Sequence, residues 1–244
     1  MDIRRILINL DEYYNRNDSE GAEKYLLYWL SEAERENNAR EAASIYNELM
    51  GLYRKTGKRD KAVECAMRAE KLSSDADPAS RGSVLLNCGT VFTAFGESEK
   101  ALSYFEKAGN LLENSLKDSD ERLGSLYNNM AAACFDIGEK ENGIRLYKKA
   151  ISVMEKNSGR EAELAVSYIN LADSLNAAYG LEDALEEIED CVDRAERLMD
   201  RPETVRNGEY AFTCTKLADA FEYYGRFAFA IELRKRAEDI YAGA

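Results

Sequence analysis

The stretch SLYNNMAAACFDIGEKENGIRLYKKAISVM, residues 125–154, predicts two amphipathic helices joined by a tight turn at Gly138. Before the glycine, one side of a helix with about 3.6 residues per turn carries Tyr127, Met130, Ala131 and Cys134. After the glycine, one face of a second helix carries Gly143, Tyr147 and Ala150. Large residues on one helix therefore lie opposite small ones on the other, which lets two antiparallel helices pack closely. The stretch predicts a helical hairpin.

The same arrangement recurs around four other glycines: Gly57, Gly96, Gly180 and Gly225. Gly180 fits when the turn is shifted by one residue. A degraded copy precedes them, with apolar residues at Ile6, Leu10, Tyr13, Ala22, Leu26 and Trp29. Successive glycines are separated by 39, 42, 42 and 45 residues, a period of about 42. The sequence therefore predicts an all-α fold, with about six antiparallel helix pairs in a single repeat array over residues 1–244.

The boundaries of the pairs follow from the turns and the polar segments between them. We predict pairs at about residues 1–38, 39–75, 77–116, 119–157, 159–200 and 202–244. Asp77 can cap the first helix of the third pair, and Pro78 suits its first turn. Ser158 and Glu161 have the spacing of a capping box for the fifth pair, whose second helix is predicted at about 181–199.

The repeat resembles the tetratricopeptide repeat, in which an aromatic or apolar residue, Leu, a small residue and Tyr precede the turn and Ala, an aromatic and Ala follow it. The period here exceeds the usual length of about 34 residues. Long repeats with the pattern YNN-A, as in Tyr127-Asn128-Asn129 before Ala131, resemble those of the kinesin light chain and its bacterial look-alikes. Peptide-pheromone regulators of bacteria also carry long repeats of this kind. The resemblance implies a right-handed superhelical α-solenoid whose first helices line the concave side.

Composition limits the classes of partner and the location. Lysine and arginine total 33 against 46 aspartates and glutamates, so the net charge is −13. This charge disfavours nucleic acid and favours a basic or neutral protein or peptide, although it also suits an ordinary solvated surface. No segment reaches the roughly 18 apolar residues of a membrane span. We therefore expect no membrane interaction and a cytoplasmic protein.

Residues that would indicate catalysis or a cofactor are missing from the sequence. The chain has no histidine, which is the commonest general base and a usual zinc ligand. Residues 51–58 resemble a phosphate-binding loop, but their glycine spacing is too long and Arg59 stands where Ser or Thr is needed. The five cysteines form no CxxC pair, and four occupy core positions of the repeat: Cys88, Cys134, Cys191 and Cys214. We predict a protein that is not an enzyme and that binds no cofactor or metal.

Asparagine recurs at one position of the predicted first helices. Asn87 and Asn129 lie nine residues before their turn glycines, and Asn170 takes this position in the shifted copy. An amide both donates and accepts hydrogen bonds, so such a row could hold the backbone of an extended peptide. Neighbouring candidates for the same groove are Asn128, Thr90 and Asp173. The alternative is that these asparagines only connect neighbouring helices.

A self-association surface is predicted on the last helix. Phe229, Leu233 and Ile240 form a stripe there, and the solenoid predicts no further helix to cover it, so the chain could form a homodimer. The alternative is that the helix buries this stripe inward. The function that we predict is a non-catalytic scaffold for proteins or peptides. The alternative function is a peptide-responsive regulatory sensor domain, and an enzyme is less favoured.

Overall fold

A computed structural model describes residues 3–16, 18–201 and 204–243 of the chain. Over these residues the chain forms twelve α-helices and no strand, which confirms the predicted all-α class. Asn17 and Pro202, which flank predicted helices, lie outside the described residues. The helices fall into two compact units, Met1–Lys117 and Asp118–Ala244, which we call the N-terminal and C-terminal units.

Each unit contains three antiparallel helix pairs that pack on their neighbours in chain order. The N-terminal unit has the helices α1 (Ile3–Asn15), α2 (Ser19–Arg35), α3 (Ala39–Lys55), α4 (Arg59–Leu72), α5 (Pro78–Ala94) and α6 (Ser98–Leu112). The C-terminal unit has the helices α7 (Glu121–Asp136), α8 (Lys140–Met154), α9 (Glu161–Tyr179), α10 (Leu185–Asp200), α11 (Gly208–Tyr223) and α12 (Phe227–Gly243). Each unit is thus a short α-solenoid. That the two form one continuous right-handed array stays a prediction.

The turns inside the pairs confirm the role of the repeated glycine. Gly138 has a φ of 85°, and its N–H donates to the carbonyl of Phe135 at 3.0 Å. The next N–H, of Glu139, donates to the carbonyl of Cys134 at 2.8 Å. This double hydrogen bond is a Schellman motif, which favours glycine because side chains are strained at such a φ. The same pair of bonds ends the first helix at Gly57, Gly96 and Gly225.

The turn at Gly180 differs from the others, so the predicted start of α10 at residue 181 is wrong. The Gly180 N–H donates to the carbonyl of Asn176, and a ψ of 159° directs the chain away from the helix. A turn over residues 181–184 follows, and α10 begins only at Leu185. The residues of α10 that are at most 5% exposed include Ile188, Cys191, Val192 and Ala195. This order matches Ala62, Cys65, Ala66 and Ala69 of α4.

Helix starts follow the predicted chemistry in one case and depart from it in another. Asp77 accepts the N–H of Ser80 at 3.0 Å, and Pro78 occupies the first helical position, as predicted. The predicted capping box at Ser158 is wrong, because α9 begins at Glu161 with no side-chain cap. Gly159, with a φ of 86°, turns the chain between the two, and Glu161 instead accepts the Gly159 N–H at 3.1 Å.

Glycines inside helices confirm the expected contact of large residues with small ones. A Cβ added to Gly89 of α5 would lie 2.3 Å from a ring carbon of Phe105 in α6. A Cβ on Gly143 of α8 would lie 2.4 Å from the ring of Phe135 in α7. All five cysteines are free and buried. This confirms the core positions predicted for Cys88, Cys134, Cys191 and Cys214, and Cys65 is buried as well.

The predicted stripe on α12 is largely buried inside the C-terminal unit. Leu233 is 0% exposed, and Phe229 packs edge-on against Phe221 of α11 with ring centroids 5.0 Å apart. Ile240 is partly exposed. Phe229 and Leu233 therefore face inward and pack on α11, as the alternative interpretation held. Dimer formation through this stripe stays a prediction, and the burial of these two residues does not support it.

Candidate protein-binding face

In each unit, the first helices of two successive pairs lie side by side. In the N-terminal unit α3 packs against α5, and in the C-terminal unit α9 packs against α11. We call the α3–α5 side the N-terminal face and the α9–α11 side the C-terminal face.

Asn87 joins the two helices of the N-terminal face. Its Nδ2 donates to Oδ1 of Asn47 in α3 at 2.8 Å, and both residues are partly buried. The hydroxyl of Thr90 donates to the backbone carbonyl of Asn87 at 2.7 Å. Asn87 therefore does connect neighbouring helices, as the alternative interpretation held, and its own side-chain oxygen remains as an acceptor.

Acidic groups lie beside this amide pair. Burial raises the pKa of Glu48, next to Asn47, and the charge of Asp11 adds to the rise, while an Asn47 hydrogen bond and Lys55 oppose it. The pKa of Tyr14 is raised to about 12 by burial, then by the charges of Glu48 and Asp11. The N-terminal face thus has a partly buried carboxylate among amides, a setting that attracts a cation.

The sequence alone did not single out Asn47 or Tyr14 for this face, and Glu48 occupies here the repeat position that Asn takes in the next two pairs. The adjacent pair Asn47-Glu48, ten and nine residues before Gly57, was the available signal. Nothing in the sequence reveals that α1 brings Asp11 and Tyr14 to the same place, because that depends on how the pairs stack.

In the C-terminal unit the predicted asparagines have different environments. Nδ2 of Asn129 donates to the carbonyl of Ser125 in its own helix at 2.8 Å. Asn170 is partly exposed, and within the described part of the chain its side chain has no hydrogen-bond partner. Its amide is therefore free to bind another molecule.

Asp173 lies one helical turn after Asn170 and connects α9 with α11. Its Oδ1 accepts the hydroxyl of Tyr224 at 2.7 Å. Protein atoms around the carboxylate raise its pKa by excluding water, and the hydrogen bond from Tyr224 opposes this rise. The residue keeps exposed surface, so Asn170 and Asp173 together present an amide and a carboxylate on the C-terminal face.

Asn128 lies within the helix packing of its unit. Its Nδ2 donates to Oγ of Ser167 in α9 at 2.7 Å, and its Oδ1 is buried without a partner in the described structure. These contacts connect α7 with α9. The side chains that remain available for a partner are therefore those of Asn87, Asn129, Asn170 and Asp173, and their alignment in one row across both units stays a prediction.

The described helices include none long and apolar enough to cross a membrane. The described residues also contain no group of three or more Cys, Asp or Glu side chains placed to hold a metal ion.

Known proteins share this architecture. No protein-family model matches the sequence. The chain is 27% identical over 154 residues to the Arabidopsis thaliana protein KINESIN LIGHT CHAIN-RELATED 2. The matched region covers 61% of this chain and 23% of that protein. The chain thus spans about a quarter of that relative's length.

Solved structures resemble the fold over most of the chain. BtubC (BKLC) from P. vanneervenii superposes with a TM-score of 0.70 at 24% identity, over 80% of this chain and 79% of that one. The chain has a tetratricopeptide-type repeat fold. The apo form of RapI has a TM-score of 0.68 at 12% identity, over 99% of this chain and 98% of that one. A chain of the APC/C hetero-tetramer Cut9–Hcn1 has a TM-score of 0.65 at 15% identity, over 98% of this chain and 40% of that one.

Proposed function

We propose that the chain is a non-catalytic protein-interaction scaffold that binds an extended segment of a partner along its first helices. The observation that carries the proposal is Asn170, a partly exposed amide without a partner within the described chain, at the repeat position that Asn87 and Asn129 also occupy. The fold supports it, because stacked helix pairs offer long surfaces for binding. One structural neighbour is a chain of the hetero-tetramer Cut9–Hcn1 and so assembles with another protein.

The chemistry of the faces favours a peptide backbone over a particular side chain. An amide offers one acceptor and two donors, which match the C=O and N–H groups of an extended chain. Glu48 and Asp173 add carboxylates beside the amides, and the net charge is −13. A basic extended segment therefore fits better than an acidic one on these faces, and its binding should weaken as salt rises.

The test is binding by a variant that lacks the three amides. Random peptides displayed on phage would first be selected on the wild-type protein, and the strongest binder would be synthesised with a fluorescent label. We expect the triple variant Asn87→Ala, Asn129→Ala, Asn170→Ala to bind it about ten- to a thousand-fold more weakly, since each lost hydrogen bond costs about 0.5–1.5 kcal/mol. Fluorescence anisotropy measures the affinity, and circular dichroism measures the melting of the same preparation.

The matched control is Asn110→Ala, an exposed asparagine on the second helix α6. It should leave the affinity unchanged. If the triple variant melts earlier but binds the peptide normally, the amides serve the packing of helices and the proposal fails. Separate single variants locate the effect, and the largest loss is expected for Asn170→Ala because no other group of the described chain occupies its amide.

A further inference from the structure

Each unit contains a cleft where three helices meet. It lies between the end of the second helix of one pair, the start of the first helix of the next pair and the end of that next pair's second helix. In the N-terminal unit the cleft measures about 290 Å³ and lies among α2, α3 and α4. In the C-terminal unit it measures about 400 Å³ and lies among α8, α9 and α10. We call them the N-cleft and the C-cleft.

The two clefts are built at corresponding repeat positions. In the N-cleft the hydroxyl of Tyr46 donates to Glu34 at 2.9 Å. In the C-cleft the hydroxyl of Tyr168 donates to Glu155 at 2.6 Å. The matched burial of α4 and α10 makes Arg68 and Lys71 the counterparts of Arg194 and Arg197. The frame is therefore common to both, and the remaining lining residues distinguish them.

The C-cleft carries an excess of positive charge in an acidic protein. Its lining contains two glutamates, Glu155 and Glu161, and four arginines: Arg160, Arg194, Arg197 and Arg201. The N-cleft instead has one glutamate, two basic residues and several alanines in its walls. Because the whole chain has a net charge of −13, this local excess runs against the overall balance.

Two of the four arginines are already engaged in ion pairs. Arg160 pairs with Glu121 at 2.8 Å and with Glu163 at 2.9 Å. Arg194 pairs with Asp190 at 2.8 Å and lies 3.7 Å from Glu155. These ion pairs hold both guanidinium groups against carboxylates of the chain itself.

The guanidinium groups of the other two arginines are available to pair with a ligand. Arg197 donates through Nε to the backbone carbonyl of Asp193 at 3.1 Å, and Arg201 follows it by four residues at the end of α10. Both are exposed, and no carboxylate of the described chain pairs with either one. Residues four apart at a helix end lie on the same side, so both guanidinium groups can reach one ligand.

The floor of the cleft is apolar. Leu164, Tyr168 and Leu198 line it and are at most 8% exposed. A ligand for this cleft therefore combines anionic ends with short aliphatic stems, as aspartate and glutamate side chains do. Guanidinium groups bind carboxylates through two parallel hydrogen bonds, which supplies geometry as well as charge.

We propose that the C-cleft binds an acidic segment of a partner protein, whose carboxylates pair with Arg197 and Arg201. A long polyanion such as nucleic acid, or an anionic membrane, would extend beyond the cleft and meet the negative charge of the rest of the chain. A short acidic peptide segment needs only the cleft itself. This surface is separate from the first-helix faces, and the proposal does not depend on their function.

The test uses a fluorescein-labelled octaglutamate peptide as the probe and fluorescence anisotropy as the measurement. The wild-type chain should bind it at an ionic strength of about 0.05 M and more weakly at about 0.3 M. The double variant Arg197→Glu, Arg201→Glu should bind at least about tenfold more weakly, because both attractive pairs become repulsive. The milder variant Arg197→Gln, Arg201→Gln should also bind octaglutamate more weakly than wild type, but with a smaller loss of affinity than the glutamate variant.

The matched control is Arg68→Glu, Lys71→Glu in the N-cleft, which changes the net charge by the same amount. It should keep the affinity within about twofold of wild type if the effect is local. Circular dichroism must show normal helicity for each variant, and the glutamine variant serves if the glutamate variant fails to fold.

Three outcomes would overturn the proposal: no binding of octaglutamate by the wild-type chain, an equal loss in the N-cleft control, or binding to phosphatidylserine vesicles without binding to the peptide. The triple asparagine variant should bind octaglutamate as wild type does. A failure of this proposal therefore leaves the proposal for the first-helix faces untouched, and the reverse also holds.

Discussion

The N-cleft and the C-cleft have one frame and two different linings. In both, a tyrosine of a first helix donates to a glutamate at the end of the preceding second helix, and a basic residue of its own partner helix lies nearby. The N-cleft is completed by alanines, and the C-cleft by Arg160 and Arg201. Packing positions of the repeat thus set the shape of the site, while positions outside the packing pattern set its charge. The units can therefore share a fold and still bind different ligands.

The packing frame should respond most strongly, and in both units, to the loss of a small residue between paired helices. Gly89→Ala and Gly143→Ala should each destabilise by about 1–3 kcal/mol, because the new methyl group would overlap the rings of Phe105 and Phe135. Urea unfolding followed by circular dichroism measures the change.

The control for this prediction is Gly51→Ala in α3, where an added Cβ has no neighbour within 4 Å. That substitution should stabilise by about 0.5–1 kcal/mol, through the higher helix propensity of alanine. If all three variants lose stability equally, close packing at Gly89 and Gly143 is not what holds the pairs together.

The tyrosine–glutamate bond should contribute to both clefts, though unequally. Tyr46→Phe and Tyr168→Phe each remove the hydroxyl that donates to a glutamate, at an expected cost of about 0.5–1.5 kcal/mol. The loss should be larger at Tyr168, because its buried hydroxyl also accepts a hydrogen bond from Arg194 at 3.4 Å. Denaturation of the two variants side by side measures the difference, and a larger loss at Tyr46 would contradict it.

The two units should also differ in their response to pH. In the N-terminal unit, hydrogen bonds from Lys58 and Lys61 lower the pKa of Glu23 to about 2. Its stabilising effect is present above the unfolded value, about 4.3, and is lost as the pH falls towards 2. Glu23→Gln should therefore cost about 0.5–1 kcal/mol at pH about 7, allowing for solvent screening, and little at pH about 2.

In the C-terminal unit the pH dependence of stability has the opposite sign at Asp173, because the exclusion of water raises the pKa of its carboxyl group. Its carboxylate favours folding when protonated, so the stability that it contributes is lost as the pH rises. Asp173→Asn keeps an oxygen for Tyr224 and removes the charge, so it should stabilise at neutral pH and change little in acid. Urea midpoints across pH measure both variants, and a loss of stability at neutral pH for Asp173→Asn would show that its charge is favourable.

Much of the fold was predictable because the repeat fixes local chemistry. A glycine after a helix with apolar periodicity predicts a Schellman turn, and this holds at Gly57, Gly96, Gly138 and Gly225. At Gly180 the same pattern gave the wrong helix start, because the turn over residues 181–184 has no periodicity of its own. The Ser158 cap failed for a related reason, since Gly159 separates that serine from the helix.

The candidate sites were less predictable, because they form from side chains of three helices. The spacing of Asn87, Asn129 and Asn170 shows their common position, but it does not reveal that Asn87 binds Asn47 while Asn170 is free within the described chain. The correspondence of Arg194 with Arg68 appears only after α10 is known to begin at Leu185. The C-cleft could therefore not be predicted from the sequence, for the same reason that the start of α10 was predicted wrongly.

That turn also determines where the length of the chain can change. Residues 181–183 are exposed and outside any helix. In the Schellman turns of the other pairs, by contrast, backbone hydrogen bonds hold the residues between the two helices. Exposed loop tips accept insertions more readily than helices or tight turns do. The segment after Gly180 should accordingly accept an inserted affinity tag or fluorescent reporter, and we expect a protease to be able to cut the native chain there.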